Sequence, residues 1–271
     1  MRVLRALPPF SAVAAHLLKA VAQEEVAFRK VADIIKADAL SADMLRIANS
    51  ALFGPRYPVT GVLHAAAMLG IDRVRSMVTT VALKDFVGKA RKTPAVSRCW
   101  RHNLACAIVC EDIARKSRMD RDFAYTSGLL HDIGRLAMIR AWLPRYAVLL
   151  DAASDSEALL QLEFDGFGIR HTRAGYLLVK GWRLPNAFAE IADRHHASQP
   201  ATPDDMAALV QFGCSLADRL GFGVAGQPAA QTGDPQAGPP PAFEELVAGN
   251  LESLGVRVAE HINELECCLA A

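Results

Sequence analysis

The sequence predicts an all-α protein, an N-terminal bundle of about five helices packed on a second helical domain, and three observations carry that prediction. Apolar residues recur at the helical period almost throughout, convincing period-two alternation is absent, and capping or breaking residues fall at helix-length intervals. At 271 residues the chain has room for one large domain or two modest ones. A composition of 52% hydrophobic and 22% charged residues excludes disordered and fibrous classes.

Each element has its own signal. After Pro8-Pro9, Ser11 is placed to cap a first helix whose Val13, Leu17, Leu18 and Val21 share a face. A second helix is expected from about Phe28 to Ile35, and a third after Ser41 with Met44, Leu45 and Ala48 inward. Gly54-Pro55 and Tyr57-Pro58 break the pattern, and helices resume over about 60–69 and about 72–86, the latter opening at Asp72. These make a first domain, residues 1–94. The second, 95–222, opens with a long helix carrying Trp100, His102, Leu104, Ile108 and Ile113, followed by a helix over about 120–140 that contains His131 and Asp132. Ser154-Asp155-Ser156-Glu157 has the form of a capping box, and helices follow around 169–180, 185–196 and 203–220, the last opened by Thr202 and Pro203. Residues 223–241, rich in Gly, Pro, Ala and Gln, are expected to form a flexible loop. Across 242–271, Phe243, Val247, Leu251, Leu254, Val258, Ile262, Leu265 and Leu269 step by three or four along one stripe of a terminal amphipathic helix. That helix is expected to cover its apolar stripe by packing back on the body, and it leaves a dimer open.

Composition also limits function. No apolar run reaches the ~20 residues that span a bilayer, and the N-terminal segment lacks a cleavage site, so a cytoplasmic protein without a membrane role is expected. The six cysteines form no C-x-x-C pair and read as reduced, mostly buried thiols. Residues 1–101 carry 16 Lys+Arg against 7 Asp+Glu, and the remainder 14 against 22, so a basic part precedes an acidic one. No arginine-rich run with interleaved aromatics is present, so nucleic acid is not expected as a partner. The absence of a G-x-x-x-x-G-K-[ST] run and of a G-x-S-x-G elbow excludes P-loop and serine-nucleophile chemistry.

The chemistry-bearing pattern is a ladder of imidazoles and carboxylates: His102, His131 and Asp132, His171, His195 and His196, and Asp218. They fall on successive helices, so a helical fold can gather them at one point. Neutral imidazole and carboxylate suit one or two divalent ions, Fe, Mn, Zn or Mg, and a bound ion would lower the pKa of a coordinated water as phosphoester hydrolysis requires. Each residue alone is as well explained by a helix end or a solvated face; the weight lies in the ordered set. Asn49 and Ser50 read as bracing a helix end, and Gly70, Gly128, Gly134 and Gly175 as permitting close packing or chain reversal.

The stretch GLLHDIGRLAM (128–138), with His102 before it and His171, GWRLP (181–185), His195-His196 and Ala217-Asp218 after it, resembles the HD superfamily of metal-dependent phosphohydrolases. The first part is similar to something narrower. LPPFSAVAAHLLKA, Ile34-Ile35, MLRIANSALFG (44–54) and AAAMLGIDRVRSMVTTVAL (65–83) resemble the HDOD domain, the HD-related output domain of bacterial signalling proteins. The resemblance implies that 95–222 is an HD-like domain with His102 as first ligand, His131-Asp132 as the signature pair, His171 and His195 as the added ligands of the dinuclear HD-GYP branch, and Asp218 as the last carboxylate. Two departures stand out. Arg135 occupies the place of a phosphate-binding lysine, and ASQPATPDD replaces the Gly-Tyr-Pro loop, so cyclic di-GMP hydrolysis is not expected.

Two readings follow from the resemblance. In the first, the chain is a regulatory HDOD module acting through a signalling protein partner or a small nucleotide-like ligand, its metal pocket vestigial. In the second, it is a metal-dependent phosphohydrolase or phosphodiesterase in which His102, His131, Asp132 and Asp218 hold the ion and Arg135 engages the phosphate.

Overall fold

Ser11 caps as its position predicts: its Oγ takes the Ala14 N–H at 3.3 Å, and α1 runs over Ala12–Ala20 in the computed structural model. The structure describes residues 10–20, 40–197, 205–225, 241–247 and 251–270; the helix expected over 28–35, the Thr202-Pro203 opening and most of 223–241 lie outside them. α2 (Leu40–Ala48), α3 (Val62–Leu69) and α4 (Ile71–Val87) follow. Ser41 lies inside α2 rather than ahead of it, and Ile47 takes the inward place expected of Leu45, which is only half-buried. Asn49 ties the end of α2 to the next segment, its Nδ2 donating to Leu45 O (2.8 Å) and Val59 O (2.9 Å) while its Oδ1 accepts from Val59 N (2.7 Å).

A short 3₁₀ turn leads to α5 (Pro94–Ser117), where Pro94 sits at the start because the missing N–H is unneeded there. This helix is the axis of the molecule. Its Cys99, Trp100 and the run from His102 to Cys110 are buried on nearly all sides by α6 (Arg121–Leu130), α7 (Ile133–Ala141), α12 (Met206–Ala217), α13 (Pro241–Val247) and α14 (Leu251–Ala270). α8 (Leu143–Ala152), α9 (Ser156–Phe167), α10 (His171–Gly181) and α11 (Asn186–Arg194) complete the second half, and no strand occurs among the described residues. The helix after the expected capping box starts at Ser156, with Asp155 as the cap accepting Ala158 N at 2.8 Å.

Two expectations are corrected. The single helix over 120–140 is two, α6 and α7, interrupted at His131-Asp132, where Asp132 has φ −99° and ψ 21°. Adjacent side chains on a straight helix diverge by about 100°, so the interruption is what lets both face one pocket. The terminal stripe is described over α13 and α14, with 248–250 outside the described residues, and Leu251 lies off it, 36% exposed. The remaining members are buried: Phe243, Val247, Leu254, Val258, Ile262, Leu265 and Leu269 face the body. Each buried aliphatic side chain on that stripe contributes roughly 1.5–3 kcal/mol before entropic costs.

One continuous apolar core runs from Phe10 to Leu269, across the expected boundary at residue 94. Trp182 ties the halves, stacking on Phe10 and meeting Phe86 edge-on, each at 5.3 Å between ring centroids. Basic groups of the first part are answered internally: Arg73 pairs with Glu111 and, at 3.2 Å, Asp122, and Arg101 pairs with Glu266. No described helix is long and apolar enough to cross a membrane.

Candidate metal centre

Five helical elements deliver the ladder to one place. α5 contributes His102, the α6–α7 joint His131 and Asp132, the start of α10 His171, and the turn after α11 His195 and His196. His102, His131, Asp132, His171 and His195 are each 1% exposed or less. Close helix approach makes this convergence available. A Cβ on Gly134 would lie 2.0 Å from His171 O and 2.4 Å from Gly175 N, so α7 and α10 meet at a separation only glycine permits.

The imidazoles share an orientation. Nδ1 of His131 faces Gly128 O (2.6 Å), that of His195 faces Ala192 O (3.0 Å), and that of His102 faces Phe222 O (3.0 Å). A carbonyl can only accept, so each Nδ1 carries the proton and each Nε2 keeps its lone pair. His171 Nδ1 lies 2.8 and 2.9 Å from the two Glu163 oxygens, and its Nε2 faces the Arg135 guanidinium at 3.1 Å, which can only donate. Glu163 is itself fixed by His171 N (2.7 Å) and the Tyr146 hydroxyl. Outward Nδ1–H groups held by oxygen acceptors and inward Nε2 lone pairs are how metal-ligating histidines are set.

All four Nε2 atoms surround Asp132. His171 and His195 lie 3.1 and 3.2 Å from its Oδ1 and 3.3 Å from each other; His102 and His131 lie 3.9 and 3.8 Å from its Oδ2. Both Asp132 oxygens and His131 Nε2 are buried without a hydrogen-bond partner among the described residues. The lone pairs of His131 and His195 thus face those of Asp132, while Arg135 lies against His171 Nε2 and, at 2.7 Å, against Asp132 Oδ2. Ligand atoms ~2.1 Å from a first-row ion stand about 3.0 to 3.4 Å apart, so the Asp132–His171–His195 triangle has the dimensions of an ion's coordination face. The residues fit a divalent ion. His196 adds an unpartnered buried Nε2 beside this trio, and His102, His131 and Cys214 form a second group.

Electrostatics divide the imidazoles into two kinds around a charged carboxylate. Burial would raise the Asp132 carboxyl, but Arg135, His171 and His131 outweigh it and hold it well below the usual carboxylate range. Burial pushes His131, His195 and His196 below the usual imidazole range and so keeps them neutral, as a ligand must be. His102 and His171 go the other way: burial is overcome by the hydrogen bond and charge of Asp218 and the charge of Asp132 at His102, and burial and Arg135 are overcome by the charges of Glu163 and Asp132 at His171.

Two residues take places that spacing alone does not indicate. Arg135 is 1% exposed, its Nε 2.7 Å from Asp132 Oδ2 and its Nη2 on His171. Asp218 lies on the Nδ1 edge of His102 at 3.3 Å, opposite the Nε2 that faces Asp132, and begins the π turn Asp218–Phe222. Three further residues shape the centre: Glu163, Tyr146 and Cys214. Only Cys214 had a signal, standing one helical turn before Asp218 and so on its face.

A family model, the HDOD domain, matches residues 7–198. A search of curated proteins finds no match. Among solved structures the chain is similar to an HDOD domain protein with unknown function from Geobacter sulfurreducens (23% identity, TM-score 0.73, covering 99% of this chain and 96% of that one). It is also similar to a "Putative phosphohydrolase" from Shewanella amazonensis SB2B (22%, 0.70, 99% and 97%) and to a "Putative signal transduction protein" from Marinobacter aquaeolei VT8 (20%, 0.69, 98% and 59%). At these identities the structures share the fold. With the domain match spanning most of a wholly helical chain whose His-Asp pair sits at the centre, the protein belongs to the HDOD domain family.

Proposed function

We propose that this protein is a cytoplasmic regulatory module of signal transduction, acting through a protein partner or a small ligand, in which the histidine–aspartate pocket holds a divalent ion as a structural element. The observation that carries this reading is the burial of the centre. Among the described residues His131, Asp132, Arg135, His171 and His195 are all at most 1% exposed, which favours an enclosed structural centre over one open to a phosphoester. Arg135, the group that would engage a phosphate, is committed to Asp132 and His171. His102, His131, Asp132, His171 and His195 would hold the ion, with His196 adjacent and Asp218 bracing His102. A bound ion would supply charge to match Asp132 and tie five helical elements together.

The test joins metal analysis to an activity assay. Protein purified without added metal is expected to carry an ion, to lose it on His131→Ala, and to leave a generic phosphodiester intact with Mn or Fe supplied. Turnover that disappears in His131→Ala or Asp132→Asn, with the helical circular dichroism of each variant retained, overturns the module reading in favour of a metal-dependent phosphohydrolase.

A further inference from the structure

The Asp218 carboxylate and the Cys214 thiol stand on opposite edges of His102. Asp218 Oδ1 is 3.3 Å from Nδ1, the edge already engaged by Phe222 O, while Cys214 Sγ is 3.5 Å from Nε2, the edge that faces the centre. Sγ of Cys214 and ring nitrogens of His102 and His131 all lie within 4.8 Å of one another, and all three residues are buried. His131 Nε2, fully buried and without a hydrogen-bond partner among the described residues, points into the same space. We propose that Cys214, rather than Asp218, completes an ion site with His102, His131 and Asp132 Oδ2, and that this site selects a zinc-like borderline ion over Mg or Mn.

The distances support that assignment. Zinc bonds of ~2.3 Å to sulfur and ~2.0–2.1 Å to nitrogen, at a tetrahedral angle, put the two ligand atoms about 3.6 Å apart. Cys214 Sγ and His102 Nε2 are 3.5 Å apart. Asp132 Oδ2, 3.9 and 3.8 Å from the two imidazoles, supplies a fourth corner after a small contraction. A thiolate, two imidazoles and one carboxylate saturate a tetrahedron, the condition of a structural zinc site, whereas catalytic sites keep a position open. Thiolate is a soft ligand, which disfavours the hard ions that carboxylate-rich centres take. Helix packing holds the thiol there, since the neighbouring Gly213 lets α12 close on α5 to a distance at which a Cβ would be 2.4 Å from Cys110 Sγ.

The proposal rests on the reading that the pocket holds an ion, and the test separates the two. The full chain is loaded with Co(II), and thiolate-to-cobalt charge transfer is read in the near ultraviolet. The band is expected in the wild type and in Asp218→Asn, and is expected to vanish in Cys214→Ser while cobalt still binds. Zinc affinity should fall at least roughly tenfold in Cys214→Ser, with manganese affinity little changed. Should Cys214→Ser not fold, X-ray absorption of the zinc-loaded wild type decides, with a sulfur scatterer at ~2.3 Å expected. Cobalt bound without a thiolate band, a band that survives Cys214→Ser, a zinc shell without sulfur, or failure of the wild type to take up an ion overturns the assignment. Phosphodiester turnover by the loaded protein would overturn the module reading and leave the ligation untouched.

Discussion

Gly134→Ala tests whether the centre depends on the contact between α7 and α10. The added Cβ would lie 2.0 Å from His171 O, 2.4 Å from Gly175 N and 2.9 Å from Gly175 Cα, all backbone atoms that cannot rotate aside. Restoring an ordinary contact of 3.4 Å to the carbonyl requires a displacement of about 1.4 Å along that line. Overpacking of this kind costs typically 1–3 kcal/mol, and with only backbone to yield the upper end, about 3 kcal/mol, is expected. For a chain of this size that is a fall in Tm of roughly 6–12 °C. The same displacement takes His171 away from Asp132 Oδ1 and His195, which now stand 3.1 and 3.3 Å from its Nε2, so ion affinity should fall with stability. Gly166→Ala is the control: its Cβ would meet only Leu149 Cδ2 at 3.5 Å, and the helix should be neutral or up to ~1 kcal/mol more stable. Thermal unfolding and a competitive zinc titration of both variants provide the measurement. A Gly134→Ala protein that melts and binds zinc like the wild type would refute the reasoning.

Glu163→Gln removes the carboxylate that accepts from His171 N, Nδ1 and Tyr146; ion affinity should drop about 10- to 100-fold with the fold kept, and unchanged calorimetric titration would refute the role. Asn49→Ala deletes three hydrogen bonds, one to Leu45 within α2 and two that join its end to Val59, and should cost about 2–3 kcal/mol in denaturant unfolding, against near neutrality if the bonds are exchanged freely for water. His261, on α14, is lowered from 6.5 chiefly by burial, with Arg73 lowering and Glu111 raising it. The unfolded chain therefore takes the proton first, and this residue's contribution to stability is present above about pH 6.5 and falls as the pH drops toward the folded value. His261→Gln should flatten that part of the stability–pH curve; an unaltered slope would dismiss the assignment.

Periodicity made the helices legible, since a buried stripe repeats whether or not its neighbour is known. Ser11 and the Leu69-Gly70 break could be read because caps and breakers act locally. The interruption at His131-Asp132 could not, because Leu129, Leu130, Ile133 and Leu136 keep helical spacing straight through it. What bends the chain there is a tertiary demand, two adjacent polar side chains required in one buried pocket. The ladder was legible as a set because its order matches a family pattern. Glu163 was not, since a single glutamate on an amphipathic helix carries no mark of being buried. Neither was the edge of His102 that Asp218 meets, which depends on the π turn at the end of α12.

Asp132 stands on the hinge between two rods. Its Oδ1 faces imidazoles carried by α10 and the end of α11, its Oδ2 faces those of α5 and α6, and its own backbone sets the angle at which α7 departs. An ion held by either oxygen would be anchored at the corner where the two rods meet. α6 lies against α4 of the basic bundle, while α7 lies against α10, whose C-terminal Trp182 reaches back to Phe10 and Phe86. The groups that would meet an ion at the middle of the molecule are thereby rooted in the same elements that join its two halves.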